Sequence, residues 1–155
     1  MFTATAEPVV GVVDAVRAVL VADPVLLAGA TNVRALVGVY GHLSEAARVA
    51  YPYLVLGRRT ADGNEGAMQR SGSQVTLQID GWSDAKGPYE IERIGSRVFA
   101  LLDRRQGFSV PGFEVLDGSL HREFSEYFDE PDEDKPGARL YRMVQRWTVI
   151  VHEAL

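Results

Sequence analysis

Apolar and polar side chains alternate from Gln74 to Ser83, and from Pro88 to Arg105 apolar side chains recur at spacings of three and four. A two-residue period passing into a 3.6-residue period predicts a strand that feeds a helix. In the strand, Val75, Leu77, Ile79 and Gly81 should face a core, with Thr76, Gln78, Asp80 and Trp82 on the opposite side. In the helix, Ile91, Ile94, Val98, Leu101 and Leu102 form the buried stripe. Gly95 beside Ile94 suits the close approach of a strand. Glu90, Glu92 and Arg93 read as the wet face, with Glu90 and Arg93 able to pair weakly at i,i+3.

The rest of the chain supplies partners for this unit. Pro8 to Ala22 carries Val9, Val12, Val13, Val16, Val19 and Leu20 on one stripe and predicts a helix stopped by Asp23-Pro24. A cap at Thr5 fits its start. A helical turn or loop over 25–31 precedes a first strand over 33–40. Residues 41–50 are ambiguous. Tyr53 to Gly57 predicts a compact strand. Arg58 to Gly72 lacks apolar periodicity and predicts a long, mobile hairpin arm. A long strand is expected over 113–128, then an acidic hairpin loop over 129–137, then a last strand over 139–153. The resulting fold class is α+β: a mainly antiparallel sheet of four to five strands with two helices packed on one face.

Composition narrows the chemistry. The 155 residues suit a single domain. There is no cysteine, which excludes disulfides, thiolate metal sites and cysteine nucleophiles. The net charge of −5 argues against a whole-surface attraction to nucleic acid. No stretch reaches the roughly 20 apolar residues of a membrane span, and the start of the chain carries no basic signal-peptide region.

Motifs for catalysis and cofactors are missing. His42, His121 and His152 are far apart and lack metal-ligand spacing. No phosphate-binding glycine loop and no nucleophile elbow occurs. The run 129–134 is not a calcium loop, because Asp134 replaces the required glycine and Leu140 the required glutamate. Trp82 and Trp147 suit core or interface anchors. The expectation is a protein with no catalytic residues, no cofactor and no metal, with function in two loops. Arg58, Arg59, Asp62, Glu65 and Arg70, in the arm at 58–72, are candidates for an interface with a neighbouring subunit or with a tube. Asp129, Glu130, Asp132, Glu133 and Asp134 are candidates for a face turned to a lumen or to a neighbour.

The ordered set of features resembles the tail-completion, or tail-terminator, family of long-tailed bacteriophages and related tail-like particles. The residues that carry the resemblance are the early helix ending in Ala22-Asp23-Pro24-Val25-Leu26, Gly38-Val39-Tyr40-Gly41 and Tyr51-Pro52-Tyr53-Leu54-Val55-Leu56-Gly57. Val75 to Ser83 with its following helix, the Asp129-Glu130-Pro131-Asp132 turn and Arg142 to Val149 complete it. The arm at 60–74 and the segment at 117–134 depart from the family pattern. The resemblance implies a structural virion protein, assembled in the host cytoplasm, that forms a homo-oligomeric ring, commonly of six subunits. Such a ring ends growth of the tail tube at its head-proximal end and meets the tail tube protein and a head-connector or stopper protein. DNA passes through it without sequence-specific binding, and no membrane is involved. The alternatives are a neck head-completion, stopper or adaptor protein of similar fold and, further off, a small-molecule enzyme.

Overall fold

The computed structural model describes residues 8–30, 32–41, 50–63 and 72–153. Helix α1 spans Pro8–Val21, α2 spans Pro24–Ala28 and α3 spans Tyr89–Leu102. The strands are β1 (Gly38–Tyr40), β2 (Tyr53–Gly63), β3 (Gly72–Ser83), β4 (Phe113–Val115), β5 (His121–Pro131) and β6 (Arg139–Glu153). Together they form one six-stranded sheet. β1 runs parallel to β2, and the remaining pairs are antiparallel. The α+β class therefore holds, with more strands than the four to five expected and α2 as a third helix.

β6 is the spine of the sheet. Its 15 residues pair along one edge with β3, from Ser83↔Tyr141 to Gly72↔His152. Its other edge takes β5 over Arg139–Thr148 and β4 over Val151–Glu153. The single strand expected over 113–128 is thus two. Gly118, at φ +71°, turns the chain between them. There the Ser119 hydroxyl accepts the Ile150 N–H at 3.1 Å, and Leu116 N–H donates to Ile150 O at 2.9 Å, filling the gap in the ladder.

One face of the sheet carries the core. Leu54, Leu56, Val75, Leu77, Ile79, Met143, Trp147, Val149 and Val151 are buried against Val12, Val16 and Leu20 of α1 and Ile91, Ile94, Val98 and Leu102 of α3. The alternation expected for β3 is realised, with Val75, Leu77 and Ile79 at or below 1% exposure. Gly95 is where α3 comes closest to the sheet. A Cβ there would lie 2.7 Å from Met143 Sδ and 2.2 Å from the Tyr127 hydroxyl. The Gly95 carbonyl accepts from buried Gln145 at 2.9 Å, and Gln145 Oε1 accepts from Trp147 Nε1 at 3.0 Å.

Two polar clamps hold the helical layer. Asp23 caps α2 by accepting the Leu26 N–H at 3.0 Å and takes two hydrogen bonds from Arg97 of α3, at 2.6 and 2.9 Å. The Arg97 hydrogen bond is the main cause that lowers the Asp23 pKa. Glu90 is not on the wet face as expected. It is buried, accepts from the Ser83 hydroxyl at 2.8 Å, and takes three bonds from Arg34: the backbone N–H, Nε and one Nη. Burial works to raise its pKa, but the Arg34 bonds outweigh it and hold the carboxyl below its ordinary range. Arg93 meanwhile lies over the Tyr89 ring.

Other departures from expectation have local causes. The first strand is limited to Gly38–Tyr40, because the chain over residues 32–36 turns back against α2. Ala30 and Val33 bridge around Asn32, which sits at φ +60°, and Leu36 N–H donates to Leu26 O. Much of the expected arm is strand: β2 continues through Arg58 to Gly63, opposite Ser73–Leu77. Between Leu56↔Ile79 and Arg59↔Leu77 the register shifts, leaving Gly57 and Arg58 opposite Gln78. This bulge breaks the alternation that identifies a strand in sequence. The expectations for Thr5, for most of 41–50 and for the arm's centre at 64–71 lie outside the described residues.

Candidate functional site

The sheet face turned away from the helices ends in an aromatic cluster beside the β5–β6 turn. Opposite residues in a ladder share a face, so the pair Tyr53↔Trp82 puts both rings on this side. Tyr51 stacks on Tyr53 with centroids 5.4 Å apart, and Tyr40 meets Tyr53 edge-on at 6.1 Å. The Arg142 guanidinium lies 4.8 Å from the Trp82 ring centre and 5.1 Å from that of Phe128, and bonds to Asp80 at 3.1 Å.

The acidic stretch completes the site. Asp129 and Glu130 lie on β5 rather than in a loop, and Asp129 is ion-paired with Arg139. The turn proper covers 132–138. Buried Asp132 organises it: its N–H donates to Ala138 O at 3.0 Å, and its Oδ1 accepts the Asp134 N–H at 3.0 Å. Glu133 and Asp134 project exposed from this frame. Tyr51, Tyr53, Trp82, Glu130, Pro131, Asp132, Glu133, Asp134 and Leu140 together line a cleft of about 470 Å³. The cleft is electronegative. Burial and then the charges of Asp132, Asp84, Asp134 and Glu130 push up the Tyr51 pKa. Burial and then Tyr51 push that of Tyr53 up to about 12.

A second concavity of about 470 Å³ lies between α2, the 32–36 segment and α3. Leu26, Val33, Leu36 and Ile94 give it an apolar floor, and Arg34, Arg93 and Arg97 rim it. Arg34 and Arg97 are already engaged with carboxylates.

The remaining candidates are dispersed. Arg59 is turned inward on its own chain, donating to Leu56 O at 2.8 Å, Gly57 O at 3.2 Å and Gly41 O at 2.7 Å. The side chains of Arg58 and Asp62, and Glu65 and Arg70 altogether, lie outside the described residues. So does His42. His121 sits opposite Thr148 and His152 opposite Gly72, which places them four β6 residues, roughly 13 Å, apart. Among the described residues no group of three or more His, Asp or Glu side chains could hold a metal, and no helix is long and apolar enough to cross a membrane. Sequence reasoning did not single out Tyr51, Tyr53 and Trp82 as one site. The alternation that turns Trp82 outward was the available signal.

The model of the tail completion protein gp17 family matches residues 14–152, nearly the whole chain. The chain belongs to that family. A family member of this kind is a structural protein of phage-type tails. Its fold is similar to that of a chain in the virion of a native gene transfer agent particle. The TM-score is 0.67 with 18% sequence identity, over 97% of this chain and 99% of that one. No curated protein matches it in sequence.

Proposed function

We propose that the protein forms a ring at the head-proximal end of a tail tube, ends growth of the tube and offers the surface on which the head is joined. The observation that carries this reading is the tail-completion match running from residue 14 to 152. The end-to-end likeness to a virion chain supports the same general setting. The geometry agrees with a structural role: the sheet face away from the helices and the turn end offer unlike surfaces, as a subunit meeting several neighbours requires. On this reading the ring is built from copies of the chain, commonly six, and surrounds the path of the DNA. Its partners are the tail tube protein on one side and a head-connector or stopper protein on the other, and its place is the virion.

Deletion of the gene tests the role. Loss of a terminator gives overlong tails, or finished tails that do not join heads. Normal tails beside heads that leak DNA would instead assign the chain to a stopper. Native mass measurement, alone and on isolated tubes, tests the ring: a strict monomer that never decorates tube ends refutes it.

A further inference from the structure

Among the described residues no lysine or arginine lines the electronegative cleft, although Arg142 lies over the Trp82 ring and Lys135 sits in the adjoining turn. Among the described residues, the carboxylates of Glu130, Glu133 and Asp134 have no ion-pair partner, whereas nearby Asp129 has Arg139 and Asp84 has Arg34. Tyr51, Tyr53 and Trp82 line it, Tyr51 stacked on Tyr53 and the Trp82 ring already carrying Arg142. Aromatic walls with a carboxylate rim favour a planar guanidinium, which stacks on the rings and bonds the carboxylates at the same time.

The opposite end of the molecule offers one. Arg104 follows the C-terminus of α3 at φ +52°, in the left-handed region that side chains other than glycine seldom adopt. Its N–H is fixed to Leu120 O at 2.8 Å, while its guanidinium is exposed, with no hydrogen bond or ion pair among the described residues. Arg105 is exposed beside it and reaches the Leu101 carbonyl. The start of α3 lies near the acidic turn, where Lys135 approaches Asp84. The helix has 14 residues and so separates the two features by roughly 21 Å. A single chain cannot bring its own Arg104 into its own cleft.

We infer that the cleft receives the Arg104 guanidinium of a second copy of the chain, so that copies join head to tail. Unlike patches on opposite ends of a subunit generate a heterologous contact, which closes into a ring when the rotation per step permits. The inference rests on the ring reading above and names the contact that builds it.

The absence of cysteine makes the test clean. One cysteine replaces Gln106, beside the arginines, and another replaces Asp134, at the cleft rim. A short bismaleimide crosslinker applied to the double variant, alone and on isolated tail tubes, should give a ladder of chains ending in a closed ring. Either single variant should give none, because the contact joins unlike positions. A second pair of variants checks the charges. Arg104→Glu with Arg105→Glu, and Glu130→Lys with Glu133→Lys, should each weaken self-association by about 10- to 100-fold, the effect of losing a charged hydrogen-bonded pair. Mixing the two variants should restore alternating assemblies. If the reversed proteins assemble normally and the ladder is absent, the contact is wrong and the ring reading stands. If the wild-type chain assembles neither alone nor on tubes, the ring reading fails and takes the contact with it. Crosslinking from position 134 to the tube protein instead would assign the cleft to the tube and overturn the inference. Should a reversed variant lose its near-ultraviolet dichroism, the crosslinking ladder alone decides.

Discussion

Glu90→Gln isolates the clamp between α3 and the segment before β1. Glu90 has 3% of its side chain exposed and accepts four hydrogen bonds, three from Arg34 and one from Ser83. The amide keeps the shape but removes the charge, and its NH₂ must face at least one Arg34 donor. Breaking a fully buried pair costs about 3–5 kcal/mol, and losing a charged hydrogen bond about 1.5–3 kcal/mol. The Arg34 side chain is 48% exposed, so water and Asp84 recover part of its solvation and the lower range applies. The expected loss is about 2 kcal/mol at pH 7, or a fall of roughly 4–8 °C in Tm for a chain of this size. The effect also depends on pH. The folded-state pKa of Glu90 lies below its ordinary 4.5. Its contribution is therefore present above about pH 4.5 and is lost as pH falls through the lower, folded value. Urea unfolding of both proteins from pH 7 downward should show the gap between them closing below that point. A gap under about 0.5 kcal/mol at pH 7, within the range of an ordinary surface substitution, would refute the clamp. A gap unchanged down to pH 3 would refute the role of the charge.

Asp23→Ala removes both a helix cap and the acceptor of two Arg97 bonds, so a loss of about 2 kcal/mol is expected, together with faster amide exchange at Leu26. The Asp23 pKa is also lowered, so wild-type stability should fall with pH in the same acid range, and less steeply in the Asp23→Ala variant. Gly95→Ala gains about 1 kcal/mol of helix propensity but forces a Cβ against Met143 and Tyr127; overpacking of about 1–3 kcal/mol should leave a net loss, seen as a lower urea midpoint. Leu77→Ala, at 1% exposure in the centre of β3, is expected to cost about 2–5 kcal/mol, whereas Ile150→Ala, at 36% on the outer face, should cost well under half as much in the same assay.

Much of the fold was legible because it depends on periodicity. The inward set of β3, the stripe of α3 and the bounds of β6 follow from which positions are apolar, and burial rewards one register over its alternatives. Gly95 was legible for a related reason, since a residue without a side chain on a buried stripe marks a close approach. What periodicity could not show is where a pattern changes phase. The bulge at Gly57–Arg58 hid half of β2, and the turn at Leu116–Leu120 split a strand that looked continuous.

The candidate site divides in the same way. The acidic character of 129–134 and the outward direction of Trp82 are properties of the sequence itself. Their meeting with Tyr51 and Tyr53 depends on strand pairing, which brings residues some 30 to 80 positions apart to one end of the sheet. Tertiary structure likewise decided which charges are spent inside the molecule. Arg34, Arg59 and Arg97 look alike as letters, yet all three are held by carboxylates or carbonyls, while the exposed Arg104 guanidinium has no such partner among the described residues. Local sequence determines what each element is, because propensity and periodicity act over neighbouring residues. The partners of each charge are chosen by long-range packing, and with them the surfaces that remain for other molecules.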